Sequence, residues 1–450
     1  MQEIIALWTV FRTHLSTTTL RQLSQVVFAL LAMTGRVTML NISRWTLQGG
    51  SYRTIQRFFN TVLPWTTLLW VFFYTHLFDP EGVYIIAADE TIKSKSGKHT
   101  YGLSRFFSSI HGKTISSLSF LALSIVSVKE RRSYPMAIEQ IVRDGTPSIP
   151  TTSASEQHDT TQTPLKRPRG RPKGSKNRNK ADVAITGTLK QLQMMIKSLL
   201  AKVRDLIALR YLVLDGYFGH NNALQMTQQC GLHLISKLRT DAALHWEPTT
   251  SQDGPGRPPI YGDRFTPRQI NPKYLISTET KQNVRTNVYQ MKLRNKTFPE
   301  LLNVVCILKT NITTKRQSHI LLFSSDLALA AEKMIDYYSL RFQIEFNFRD
   351  AKQYWGLQDT MNVNKIPVNT AANLSMFMVS VSAKLTHTFR GENTHYSVID
   401  LKSHYRGLKY IDETLKILPQ KPEPIVIEKI TEHLGTIGAI HYTQTDLSPG

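Results

Sequence analysis

Cysteine is nearly absent: the 450-residue chain has only Cys230 and Cys306, in unlike contexts. That excludes a disulfide framework and a cysteine-built zinc site, and it suits a reducing compartment. Long apolar runs are missing as well. The most apolar stretch, Leu68 to Phe78, is too short to span a bilayer and includes Thr75 and His76. The opening "MQEIIALWTVFRTHLS" has no basic start followed by a clean apolar run, so no signal peptide is expected and a cytoplasmic protein is. Acid is scarce. Against 33 Asp and Glu stand 55 Lys and Arg, a formal net charge of +22. A surplus of that size points to a polyanionic partner. With 41% apolar residues, the chain can also build a true core.

Residues 1–80 read as helical. "LRQLSQVVFALLAMTG" is periodic and stops at Gly35; "SYRTIQRFFNTVLPW" offers Ser51 as an N-cap and Pro64 as a stop. Arg53 and Arg57, four apart, share a face there. They suit either a DNA-recognition helix or a helical bundle with a solvated basic side. From about residue 81 the pattern alternates between strands and helices. "GVYIIAADE" is a short strand ending at Asp89, "ISSLSFLALSIVSV" a long one, and residues 186–209 an amphipathic helix. "RYLVLDGYFG" is a strand ending at Asp215, "NNALQMTQQCG" a helix stopping at Gly231, and "LHLISKLR" a strand. This order predicts an α/β core. Residues 239–327 carry β-like runs and read as a β-rich insertion, after which one helix begins near Ala328. Residues 366–450 hold an apolar helix and a less periodic tail. The expected division is therefore 1–80 helical, 81–238 with 328–365 as the core, 239–327 inserted, and 366–450 C-terminal. A basic low-complexity insert, 145–183, lies within the core.

Asp89 and Asp215 each follow a hydrophobic strand, and strand ends in α/β sheets gather ligands. Glu345 lies in "YYSLRFQIEFNFRDAK" (337–352). At about 100° per residue, Tyr338, Arg341, Glu345 and Lys352 fall on one stripe roughly 60° wide. Beside it runs an apolar face of Tyr337, Leu340, Ile344, Phe348, Ala351 and Trp355. A helix of this kind can dock on the sheet and bring a third carboxylate to the other two. Three such acids repel one another unless cations join them, and hard oxygen ligands suit Mg²⁺.

These residues carry a family likeness. The chain resembles bacterial insertion-sequence transposases with the DDE, RNase H-like catalytic fold, of the insertion-sequence group four type. That type's signature is Tyr, two residues, Arg, three residues, Glu, six residues, Lys, and Tyr338, Arg341, Glu345 and Lys352 fit it. "ADETIKSKSGKHTYGLSRFFSS" is similar to the family's first-aspartate region and "YLVLDGYFG" to its second. The resemblance implies an RNase H-like mixed sheet flanked by helices, with a β-rich insertion before the last catalytic helix and helical terminal regions. It implies that Asp89, Asp215 and Glu345 hold two Mg²⁺ ions, with Mn²⁺ able to substitute, and cut DNA at the ends of a mobile element. The freed 3′-hydroxyl then attacks target DNA. Tyr338, Arg341 and Lys352 would grip phosphates, and a homodimer would bring two ends together. A nuclease without strand transfer and a silent DNA-binding regulator are the other readings.

Lys93, Lys95, Lys98 and Arg105 follow Asp89 closely and either line a DNA channel or sit on a solvated loop. "KRPRGRPKGSKNRNK" (166–180) centres on Arg169 and Arg171. It looks like a minor-groove hook, or else a basic linker. Trp246, the one tryptophan of the insertion, is either a stacking platform for a flipped base or a core residue. His99, His111 and His220 lie near the acids and read as loop or DNA-contact residues rather than ligands.

Overall fold

The computed structural model describes residues 2–46, 50–143, 180–248, 259–359, 361–390 and 395–441. Arg169 and Arg171 lie outside the described residues. The chain opens with helices α1 (Gln2–Leu7), α2 (Thr17–Ala32), α3 (Met39–Thr46), α4 (Tyr52–Asn60) and α5 (Trp65–His76). The Ser51 side chain accepts the Thr54 N–H and so caps α4, as its position after the glycines suggests. Pro64 does not end α4, which stops at Asn60; it is the N-cap of α5. Proline fits there because its missing N–H is one the first turn leaves unbonded anyway.

Strands β1 (Tyr84–Ser94), β2 (Ser104–Ser108), β3 (Lys113–Ser127) and β4 (Arg132–Ile141) form an antiparallel set around β3. Helix α6 (Gly187–Val203) leads to β5 (Tyr211–Val213), and α7 (Asn221–Gln228) to β6 (His233–Leu238). Both strands run parallel to β1 in the order β1-β5-β6. Then come β7 (Leu244–His245), β8 (Leu275–Lys281), β9 (Val284–Asn295), β10 (Leu301–Asn311) and β11 (Gln317–Ser324). These do not stand apart from the core. Strand β11 pairs with β6 through Leu321↔Leu238 to Ser324↔Ile235, so the eleven described strands join one mixed sheet. Helices α8 (Ala331–Leu340), α9 (Gln343–Gln353), α10 (Lys365–Arg390), α11 (Val398–Ile417) and α12 (Pro424–Thr436) follow. The tail is thus more regular than its sequence suggests. The whole is a mixed α/β fold, a large sheet flanked by helices with helical ends, consistent with an RNase H-like fold. Among the described residues, no helix is long and apolar enough to cross a membrane.

Alternation along β1 separates two cores. Tyr84, Ile86 and Ala88 face the layer of α6 and α7; Ile85 and Ala87 face the layer of α8. Asp89 continues the second series. Farther along that same face, Leu118, Phe120 and Ala122 of β3 pack with Ile344, Phe348 and Ala351 of α9. The six apolar residues expected on the helix face are all buried. They do not lie on one helix, however. The backbone breaks at Arg341–Phe342, where Phe342, Ile344 and Glu345 donate to carbonyls three residues back instead of four. Helix α8 therefore packs on the β6–β9–β11 side and α9 on the β1–β3–β4 side. Asn347 pins α9 in place: its Nδ2 donates to Ser133 Oγ at 2.8 Å and Ser124 Oγ at 3.3 Å.

Candidate active site

Strand pairing brings the two aspartates together. β1 and β5 are parallel neighbours with Ile86 opposite Leu212 and Ala87 opposite Val213. Two residues further on, Asp89 and Asp215 stand at the same level. Both face the α8–α9 layer, since side chains two apart point the same way. Asp89 does not end its strand. β1 runs on to Ser94 alongside β3 and only loses β5 as a neighbour after Ala87. The acid sits where the sheet opens on one side. Asp215 lies two residues past the end of β5. Its Oδ1 accepts the Tyr217 N–H at 3.1 Å, and Ser236 Oγ donates to its carbonyl oxygen at 2.7 Å.

Arg341 ties the third acid to the first. Its Nη1 donates to Asp89 Oδ2 at 3.2 Å and its Nη2 to Glu345 Oε1 at 3.4 Å. The break between α8 and α9 lets one guanidinium reach both carboxylates. Burial is the main force on Asp89 and lifts its pKa to about 6. The Glu90 N–H and Arg341 pull the other way, while Asp215 and Glu345 add to the rise. Those two acids thus lie within electrostatic reach of Asp89. The Tyr338 hydroxyl is raised chiefly by burial and further by Asp215, and it is lowered by Arg341, so it belongs to the same cluster. Lys352 sits two turns along α9 from Glu345, about 10 Å away, and burial lowers its pKa.

Among the described residues, no three His, Cys, Asp or Glu side chains come close enough to hold a metal ion. The acids converge on one face without forming a ready cage. Their donor set nonetheless fits a hard divalent cation: carboxylate oxygens only, at the open edge of a sheet, with one acid destabilised as an anion by burial. A cationic group already lies between Asp89 and Glu345, and it is Arg341.

The other expected residues are more scattered. Arg53 and Arg57 are exposed on α4. Lys98 and Arg105 are exposed and Lys95 half-buried, but Lys93 is only 3% exposed, on a strand and not a loop. Burial, and then Lys95, hold the Lys93 pKa at about 7. Between that value and its ordinary 10.5 the unfolded chain keeps a proton that the folded protein has released, so stability rises with pH across this window. Lys93→Met is therefore expected to exceed the wild type by about 2 kcal/mol at pH 7. The margin should shrink toward pH 10 in paired denaturation curves. A margin independent of pH would mean that Lys93 is not strained by burial.

Trp246 is half-buried. It stacks on Tyr274 (ring centroids 4.9 Å apart, 25° between planes) and meets Phe265 edge-on, beside a cavity of about 670 Å³. His220 caps α7 by accepting the Ala223 N–H, and His99 and His111 are exposed. Asn347 went unnoticed in the sequence, where an asparagine in a helix reads as solvent-facing.

Three acids on one face of a mixed sheet, in a basic chain, suit metal-assisted cleavage of a phosphodiester. The family model described as DDE superfamily endonuclease matches residues 10–297, more than half of the chain. The chain belongs to this family. The matched span contains Asp89 and Asp215 and stops short of α8 and α9. None of the curated proteins compared with the chain matches it.

Proposed function

We propose that this endonuclease is a cut-and-paste DNA transposase of the insertion-sequence group four type, with Asp89, Asp215 and Glu345 as its catalytic acids. The observation that carries this is the placement of two aspartates at one level on adjacent parallel strands, with Glu345 joined to the first through Arg341. The three carboxylates would hold Mg²⁺ or Mn²⁺. Such ions would supply Lewis-acid activation of the attacking oxygen and would offset charge at the leaving one. The chain's own groups do the rest. Arg341, released from the carboxylates, and Tyr338 turn toward the phosphate of the strand being cut. Lys352 holds a neighbouring phosphate about two helical turns away. The helical segment 1–80, with Arg53 and Arg57, binds the element end. Residues 81–238 with 328–365 form the catalytic unit, 239–327 flank the cut strand, and 366–450 serve assembly. The enzyme acts as a homodimer on DNA in the cytoplasm, where the nucleoid lies.

The test uses the whole chain with labelled duplex carrying the inverted repeats that flank its coding region, in Mg²⁺ or Mn²⁺. Excised and joined products are expected. Nicks without joining would reduce the protein to a nuclease, and a gel shift without cutting to a regulator.

A further inference from the structure

The hairpin of β2 and β3 carries apolar side chains into water. Ser104–Ser108 pairs with Lys113–Ser117, and residues 109–112 turn the chain, Gly112 at φ 62°. Phe107 is 62% exposed and Ile110, in the turn, 90%. The stem is braced. Phe106 is buried on the opposite face beneath the Arg143 guanidinium, 4.4 Å from the ring centroid. Arg143 Nη1 donates to the Arg105 carbonyl at 2.8 Å. Water-facing apolar groups on a rigid stem have burial still to gain.

Register says what they face. Asp89 is opposite Ala122 and Lys93 opposite Leu118, while Arg105 is opposite Ser116 and Phe107 opposite Thr114. Those partners are all even-numbered residues of β3, so the four side chains share one face. The Lys95 N–H donates to the Ser116 carbonyl, which places Lys95 in the same row. Between Asp89 and the hairpin this face is covered, Lys93 being 3% exposed; the cations that reach water stand at the tip, with Arg105 and Lys113 on the stem and Lys95 half-buried beside them. From Ala122 back to Lys113 the strand covers about 30 Å. That is close to one turn of duplex.

We propose that Phe107 and Ile110 form a wedge that inserts between base pairs of DNA held by these exposed cations, about one helical turn from the cut. The proposal rests on the assignment of DNA as substrate. Charge complementarity selects DNA over a second copy of this basic chain as the occupant. Burying the two side chains offsets the cost of unstacking a single step and little more. The wedge therefore enters only where stacking is weak, at pyrimidine–purine steps, and so biases which DNA is bent and used.

The test is permanganate reactivity of thymines in a duplex containing TA steps, bound to full-length protein. Wild type should make TA-step thymines hyperreactive. Phe107→Ala/Ile110→Ala should return them to the level of free duplex and weaken binding roughly tenfold, with the salt slope unchanged. Ile110→Lys, which adds charge and removes the tip, should bind at least as tightly with lowered reactivity. Hyperreactivity absent from the wild-type complex, or surviving in the double variant, would overturn the wedge. So would a double variant that changes only the oligomeric state, which would give the hairpin to a second copy. The transposase reading fails by a different result, namely wild type leaving the inverted-repeat duplex uncut in Mn²⁺.

Discussion

An Asp215→Asn protein is expected to bind DNA as the wild type does and to lose metal-dependent cleavage by about 10³-fold or more. Asparagine matches aspartate in size, and the contacts that place residue 215 survive the change. The oxygen that accepts the Tyr217 N–H remains as an amide oxygen, and the bond from Ser236 goes to the backbone carbonyl. What disappears is one negative charge beside Asp89. Folding should be untouched or slightly improved, because Asp215 is one of the groups that raise Asp89. Gel shift, melting temperature and cleavage measured on one preparation separate these effects. Cleavage within tenfold of wild type would remove Asp215 from the chemistry.

Removing Arg341 should have the second largest effect, and it should be visible without substrate. The guanidinium is mostly buried between Asp89 and Glu345. In Arg341→Ala two carboxylates lose their shared cation, and the protein should be less stable by about 1–3 kcal/mol at pH 8. The sign of the pH dependence follows from Asp89. Its folded pKa, about 6, lies above the unfolded value of 3.8, so the folded state holds a proton that the unfolded chain has lost between the two. Stability therefore falls as pH rises through this window. Without Arg341 that fall is larger, and the gap between variant and wild type should narrow near pH 5. Mg²⁺ or Mn²⁺ should raise the melting temperature of the variant more than that of the wild type, since no resident cation has to move. A larger metal effect on the wild type would mean that Arg341 helps hold the ions rather than standing where they bind.

How much of this was legible in the sequence depended on whether the deciding contact was local. The strands leading to Asp89 and Asp215, the helix 187–203 and the buried residues of α8 and α9 announce themselves through their own periodicity. The end of β1 does not. Its polar half is held by β3, more than twenty residues away, and a lysine buried in that half looks like a loop residue until its cover is known. The sequence hides β4 for a similar reason. Pro135 argues against a strand, yet β4 pairs only with β3, so the missing N–H costs no bond on its open edge. The break at Arg341–Phe342 has neither glycine nor proline to mark it. It follows from two packing surfaces that a straight helix would not fit together. The convergence of the acids was readable as an expectation. Arg341 lying between two of them was not, since that needs β1 and the α8–α9 junction in contact.

The acid and the hairpin are both held in register by β3, and this limits how the gene can drift. One residue added to β3 between Ser116 and Ala122 would leave the carboxylate in place and turn Arg105 and Phe107 of the stem to the reverse side. Two added there would restore their orientation and lengthen the distance from Asp89 to the hairpin by about 7 Å. Descendants of this chain can change that spacing only in even steps.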